Sequence, residues 1–283
     1  MGEAVARRRP MRPPRVLTLV RDPDPEEVGA AIDWSGWYLF EEDDVGQSPE
    51  QDDVVNELAS ALCEHLLPTG DPSVRVGRDA FFAWIRDEPN VRVSPDVYVL
   101  DDPPPPPWPK MWETWRGGHR APRFALEVVS DDWREDYEES PAKYALLGAT
   151  ELVIFDPPAA RGAVRAPRVP ITVYRREDDG SFVRTYAGDG PARLESIGAW
   201  AVARPECGVG WLRLARDAEG NDIVPTASER AEREARRAEQ EAQRAEREAQ
   251  RAEREAQRAE QEAQRAERLR ERLRALGIDP DEG

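Results

Sequence analysis

The stretch Arg123–Pro157, RFALEVVSDDWREDYEESPAKYALLGATELVIFDP, constrains the fold more than any other part of the chain. Its pattern predicts a strand over Phe124–Val129, an acidic connection, a short helix and a second strand over Glu151–Phe155. Ser140 is placed to cap the helix, Pro141 suits its first position and Gly148 suits its end. Strand, helix and strand in one short segment make a βαβ unit, with parallel strands and a right-handed crossover. Glu127 stands inside the first strand, flanked by Leu126, Val128 and Val129. A carboxylate in a run that should be buried needs a proton, a partner or a metal. The helix carries Lys143. Of the 40 basic residues only this one and Lys110 are lysines, so an amine at this position stands out from an arginine background.

The charge balance narrows the function classes. The chain of 283 residues has a net charge of −17, and the surplus acid lies outside the C-terminal tail. Residues 228–274 hold 13 acids and 14 arginines. This balance argues against binding nucleic acid by bulk electrostatics and does not exclude an enzyme that reaches phosphates through metal ions. Cys63 and Cys207 are far apart and imply neither a disulfide framework nor a zinc site. No apolar run approaches the roughly 18 residues of a membrane span, and no signal-peptide core follows the early arginines. A soluble cytoplasmic protein without a membrane partner is the expectation.

In chain order, residues 1–14 read as a disordered basic tail and residues 15–226 as one α/β domain. Strands are expected over Arg15–Val20 and Gly36–Phe40. Ser48-Pro49-Glu50-Gln51 is a capping box, and the helix it opens buries Val54, Val55, Leu58, Leu62 and Leu66. Glu50, Asp53 and Glu57 lie on its other face, ordinarily a solvated one. Short strands follow at Val74–Val76, Phe81–Arg86 and Val91–Leu100, the last broken at Pro95. Arg75, Arg78, Arg86 and Arg92 form the one locally basic patch of the body; each alone reads as surface charge, together as a possible phosphate contact. Residues 101–122 read as a proline-rich loop whose tryptophans pin it to the body or stack on bases. A hairpin over Ile171–Arg175 and Ser181–Tyr186 and a last strand over Trp211–Leu214 complete the domain.

Residues 227–277 change abruptly to Ala, Glu, Gln and Arg, and residues 278–283 read as a disordered tail. Alanines from Ala231 to Ala266 alternate in steps of four and three and run on into Leu269, Leu273 and Leu276, a heptad seam. A second row from Glu241 to Arg265 alternates in sign, each neighbouring pair contributing roughly 0.2–0.5 kcal/mol. Alanine buries little area, so both a free-standing helix and a homo-oligomeric coiled coil fit this pattern.

The chemistry-bearing residues are Asp96, Glu127 and Lys143. Asp96 follows Pro95 at the start of the apolar strand VYVL. Two carboxylates on adjacent strands suit Mg²⁺, which prefers oxygen ligands and keeps several waters. Such a metal lowers the pKa of an attacking water and neutralises charge on a leaving phosphate oxygen. Helix N-terminus and strand C-terminus share one sheet edge in a βαβ unit, so Lys143 can reach the same end. Taken singly, Asp96 is an ordinary turn residue and Lys143 an ordinary surface amine.

SPDVYVL, ALEVVS and PAKYALLGATELVIFDP resemble the Uma-two-type putative restriction endonuclease family, a branch of the PD-(D/E)xK nuclease superfamily. The resemblance runs from about Gly36 to Leu214 and includes the capping-box helix. It implies a restriction-endonuclease-like core, a mixed central sheet flanked by helices, followed here by the long coiled-coil-type helix. It also implies Mg²⁺ dependence with Mn²⁺ substituting, DNA as the substrate, metal-binding roles for Asp96 and Glu127, and a catalytic Lys143. Val129 occupies the usual lysine position, and in this family the lysine comes from the next helix, which Lys143 fits. Where the family often has a histidine near the first helix, this chain has Gln51 and Asp52. The expected activity is metal-dependent endonucleolytic hydrolysis of DNA. The alternatives are a catalytically silent nuclease fold that assembles through its C-terminal helix, and a Glu127–Lys143 ion pair that serves structure alone.

Overall fold

The computed structural model describes residues 19–20, 34–40, 48–67, 73–130, 133–206 and 208–275. The chain divides into two compact units, residues 1–227 and residues 228–283. The first unit is α/β. Its main sheet has seven strands in the order β1 (Leu19–Val20), β10 (Phe182–Gly188), β9 (Ile171–Arg176), β8 (Glu151–Phe155), β7 (Phe124–Val128), β5 (Val97–Asp101) and β2 (Val74–Gly77). β7 and β8 pair in parallel, and the other neighbours pair antiparallel, so the sheet is mixed. The central strands are apolar on both faces because both faces are covered.

Alternation along the strands sorts these residues into two cores. Phe124, Leu126 and Val128 of β7 join Val97, Val99, Val153 and Phe155 on one face. Helix α1 (Pro49–Leu66) packs there with Val54, Val55, Leu58 and Leu62, each at most 1 % exposed. Removing each from water contributes roughly 1.5–3 kcal/mol. A three-stranded sheet of β11 (Ala192–Leu194), β12 (Ala199–Glu206) and β13 (Val209–Ala215) adds Leu194, Leu212 and Leu214 to that core. Ala125, Tyr98, Leu152 and Ile154 face the opposite side. There they meet Tyr144 and Leu147 of α3 (Ser140–Leu147), together with Phe82 and Trp112. The last two belong to a small sheet of β4 (Arg92–Val93), β3 (Phe81–Ala83) and β6 (Met111–Glu113).

The capping box forms as the sequence predicts: Gln51 N–H donates to Ser48 Oγ at 3.3 Å, and Ser48 N–H donates to Gln51 Oε1 at 3.0 Å. Gly148 ends α3 in the left-handed region, with φ 92°. Other local expectations are corrected. Ser140 is the first residue of α3 and makes no cap; Glu139 stands at the cap position without a side-chain capping bond. Residues Trp34–Trp37 form a 3-10 turn instead of a strand, and Tyr38 adds a single bridge to Val91. The acidic connection holds a helix of its own, α2 (Trp133–Glu138). The proline-rich segment contributes β6, which pairs in parallel with β3 and buries Trp112 completely. Trp108, itself exposed, lies beneath the half-buried Arg75 guanidinium, 3.5 Å from its ring centroid, so this arginine is engaged by the proline-rich loop. Arg92 is buried and donates to Leu39 O at 2.7 Å.

Helix α4 (Pro157–Ala160) is capped by Asp156, whose Oδ1 accepts from Ala159 N–H at 2.9 Å. The described part of the second unit lies in α5 (Ala227–Ala275), a helix of 49 residues, about 73 Å long at 1.5 Å per residue, that begins one residue before the unit boundary. With alanine in the seam, glutamate borders it on both sides: Glu239, Glu246, Glu253 and Glu260 on one flank, Glu241, Glu248, Glu255 and Glu262 on the other. The first row is clasped at regular intervals, since Gln243, Gln250, Gln257 and Gln264 donate to the glutamates four residues back at 3.2–3.5 Å. The step from Ala266 to Leu269 is three where the alternation requires four, so the leucines lie one position off the alanine seam. Residues 1–18 and 276–283, which hold the two predicted tails and Leu276, lie outside the described residues. Among the described residues no helix is long and apolar enough to cross a membrane.

Candidate functional site

The site is set by strand register. β5 and β7 run antiparallel with Val97 opposite Leu126 and Tyr98 opposite Ala125. Asp96 immediately precedes β5, and extending this register by one step brings it level with Glu127. Glu127 shares the face of Ala125, the face that α3 covers. Asp96 is fixed by the neighbouring strand: its Oδ2 accepts from Val128 N–H at 2.6 Å. Pro95 immediately before it cannot donate to a ladder, which suits the start of a strand.

Glu127 is partly buried and receives a hydrogen bond from the hydroxyl of Tyr144 at 2.5 Å. Burial pushes its carboxyl well above the usual carboxylate range, and the adjacent Asp96 pushes it further. The Tyr144 bond, and to a smaller degree Lys143, act in the opposite direction. The Tyr144 phenol is itself raised, first by burial and then by the carboxylate it touches. Two acids thus lie close together at a position where burial disfavours the charge on Glu127.

Lys143 is placed differently from the two acids. Its side chain is 10 % exposed, and its amine lies 2.7 Å from Glu135 Oε1 and 3.5 Å from Glu139 Oε2. The Trp37 ring lies 6.0 Å away. The structure therefore brings Asp96 and Glu127 together and sets Lys143 nearby, engaged with other carboxylates. A Glu127–Lys143 ion pair does not form among the described residues, which corrects that structural alternative: Tyr144 takes Glu127, and Glu135 and Glu139 take the lysine.

Helix α2 supplies the residues that sequence reasoning missed. Asp136 Oδ2 accepts from Ser130 N–H at 2.8 Å and from Ser130 Oγ at 3.0 Å, just past the end of β7. α2 is anchored through Tyr137, whose hydroxyl lies 3.0 Å from Asp156 Oδ2 and 2.9 Å from Val169 O. Asp156, fully buried, is also held by Arg168 through Nε at 2.6 Å and Nη2 at 2.9 Å. A buried acid with this bidentate partner is a fixed post, so Glu135 and Asp136 are carried on a tethered helix. The signal was weak: a tyrosine within an acidic run gives no periodicity to read. Gln51 adds a tie from the opposite side, donating from Nε2 to Val129 O at 3.3 Å.

The donor set fits a hard divalent cation. Asp96 and Glu127 offer carboxylate oxygens side by side, and Glu127 Oε2 makes no bond to the protein among the described residues. Two like charges at short range favour such an ion. Among the described residues no group of three or more His, Cys, Asp or Glu side chains comes together in a ligand cluster. Most of the coordination sphere would then be water and substrate, the habit of Mg²⁺.

Comparison with known proteins agrees with the sequence resemblance. No curated protein matches the chain. A solved structure described as a putative nuclease belonging to DUF820, from Anabaena variabilis ATCC 29413, aligns with a TM-score of 0.35 and 13 % identity, covering 53 % of this chain and 75 % of that one. The Uma2 family, described as "Putative restriction endonuclease", matches residues 42–201, more than half of the chain and the whole span from before α1 into β12. This chain belongs to the Uma2 family.

Proposed function

We propose that the chain is a divalent-metal-dependent nuclease that hydrolyses phosphodiester bonds in DNA, with Mg²⁺ as the ion and Mn²⁺ able to replace it. The observation that supports this reading is the closeness of the two acids where β5 meets β7: Asp96 takes the N–H of Val128, the residue next to Glu127, while Glu127 takes the Tyr144 hydroxyl from α3. Asp96 and Glu127 are the proposed metal ligands. A bound cation supplies the positive charge that polarises the scissile phosphate and lowers the pKa of the attacking water. The chain's own part is to hold Asp96 through the Val128 N–H and Glu127 through the Tyr144 hydroxyl, so that neither must reorganise. Lys143 is the proposed catalytic cation. Its amine is shielded from water and can stabilise an oxyanion once it exchanges Glu135 for a phosphate oxygen.

The test is cleavage of supercoiled plasmid by the full chain with Mg²⁺ or Mn²⁺. Nicking that is lost in Asp96→Asn and Glu127→Gln is expected. Identical behaviour of wild type and both variants across DNA and RNA substrates would overturn the reading. Glu127→Gln also raises the stability of the metal-free protein by about 1–2 kcal/mol, because it removes a poorly solvated charge and keeps the acceptor for Tyr144.

One observation favours a second reading, a silent fold that works as an assembly module: both carboxylates near Lys143 already neutralise it. Calorimetry separates the two. Mn²⁺ binding that is lost in Asp96→Asn belongs to the nuclease, and absence of binding in the wild type belongs to the module.

A further inference from the structure

Lys143 and Tyr144 are neighbours on α3, and a helix turns their side chains about 100° apart. Tyr144, not the lysine, is the α3 residue that touches the carboxylate pair. Its ring is fully buried in the core with Ala125, Val129 and Leu152, which fixes where its hydroxyl can lie. That hydroxyl donates to Glu127 Oε1 at 2.5 Å. A buried phenol must find an acceptor, and here it has taken one oxygen of an acid that sits in an otherwise apolar strand. Glu127 carries rotatable bonds out to its carboxyl group, so without this contact the sheet alone would not fix the plane of the two oxygens.

We infer that Tyr144 is the positioning residue of the metal site: it binds Glu127 Oε1 and leaves Oε2 as the oxygen offered to the cation. This rests on the proposal that Asp96 and Glu127 are metal ligands. Outer hydrogen bonds to ligating carboxylates change metal affinity by about 10–100-fold when they are removed. Tyr144 would act in this way, without itself touching the metal or the substrate.

The experiment is Mn²⁺ titration calorimetry on the full chain, with thermal unfolding of each variant alongside. Tyr144→Phe keeps the ring and removes the hydroxyl; its Mn²⁺ dissociation constant is expected to rise about tenfold or more. Tyr186→Phe is the control, because that hydroxyl accepts from Gly190 N–H just past the end of β10 and has no contact with the pair; it should lower the melting temperature and leave the dissociation constant unchanged. If Tyr144→Phe binds Mn²⁺ as the wild type does, or if Tyr186→Phe weakens binding equally, Tyr144 has no positioning role. Should Tyr144→Phe fail to fold, replacement of Tyr144 by 3-fluorotyrosine keeps the packing and strengthens the donor; an unchanged dissociation constant then overturns the inference. A wild type that binds no Mn²⁺, or an Asp96→Asn variant that binds it equally, removes the metal reading itself and this inference with it.

Discussion

The amine of Lys143 lies 2.7 Å from Glu135 Oε1, a contact between a side chain 10 % exposed and one 55 % exposed. The asymmetry decides what the pair is worth. An acid more than half in water gains roughly 0–1 kcal/mol from such a partner, so Glu135 can be displaced cheaply. Glu139, at 22 % exposure, is the more enclosed of the two acids and stays as the lysine's anchor. Glu135→Gln is therefore expected to change stability by less than about 0.5 kcal/mol and to raise plasmid nicking about two- to fivefold. Lys143→Met is expected to lower nicking about 100-fold. Loss of activity in Glu135→Gln would show that the acid is needed and is no mere guard on the amine.

Glu151, at the start of β8, gives a pH signature distant from the site. It is fully buried and accepts from Glu195 N–H at 3.0 Å, Ser196 N–H at 3.2 Å and Ser196 Oγ at 2.7 Å. Burial raises its carboxyl above the usual range, and these donors offset only part of the rise. The folded state then holds a proton that the unfolded state has released. The associated stability is present in full below the ordinary carboxylate value and is lost as pH climbs through the raised one. Glu151→Gln removes this titration and weakens the acceptor set. Its deficit against the wild type should be largest near pH 4, at about 1–3 kcal/mol, and shrink as pH rises. Denaturant melts at several pH values check it; a deficit independent of pH would refute the assignment.

How much of this was readable beforehand differs by residue. β8 is legible to its observed ends, Glu151 and Phe155, because the apolar run Leu152–Phe155 so soon after Gly148 has little else to become. The capping box at Ser48 was equally direct, since its two bonds join residues three apart. Asp96 and Glu127 were picked out as acids in apolar strands, although their opposition depends on a register that no local signal encodes. Tyr144 was passed over because its role is a contact across 17 residues that a helical aromatic does not announce. Strands β11 and β12 were missed for a related reason: Ala192–Leu194 is short, and Ala199–Glu206 carries Pro205 near its end, so neither shows clean alternation. The expected strand over residues 36–40 failed because WSGWYLF, although aromatic, has its polar pair Ser35-Gly36 where a tight turn forms.

The charge borders of α5 predict its assembly behaviour. Seam pairing between two copies sets glutamate against glutamate in either orientation, because both flanks carry the same sign. Each such apposition opposes association by a few tenths of a kcal/mol, roughly the size of an exposed attractive pair. Alanine offers little burial to overcome it. Replacing Glu241, Glu248, Glu255 and Glu262 by lysine converts one flank and permits parallel pairing. Sedimentation velocity should then show a dimer for the substituted chain, with a larger dimer fraction than the wild type at the same concentration. Equal association of both proteins would mean that the seam is not the contact.

The register between β5 and β7 also governs when the acids can meet. Asp96 and Glu127 are 31 residues apart in sequence, joined through a segment that itself donates β6 to another sheet. A slip of one residue would turn the apolar residues of β5 to the wrong faces, part Asp96 from the Val128 N–H and leave Glu127 without its neighbour. Neither acid is drawn to the other, so apolar neighbours such as Val97, Val99 and Leu126 must bring them together. The two acids therefore meet only where β5 and β7 are paired, and an unfolded chain holds them singly. The proposed metal site is thereby a property of the completed sheet and of no shorter piece of it.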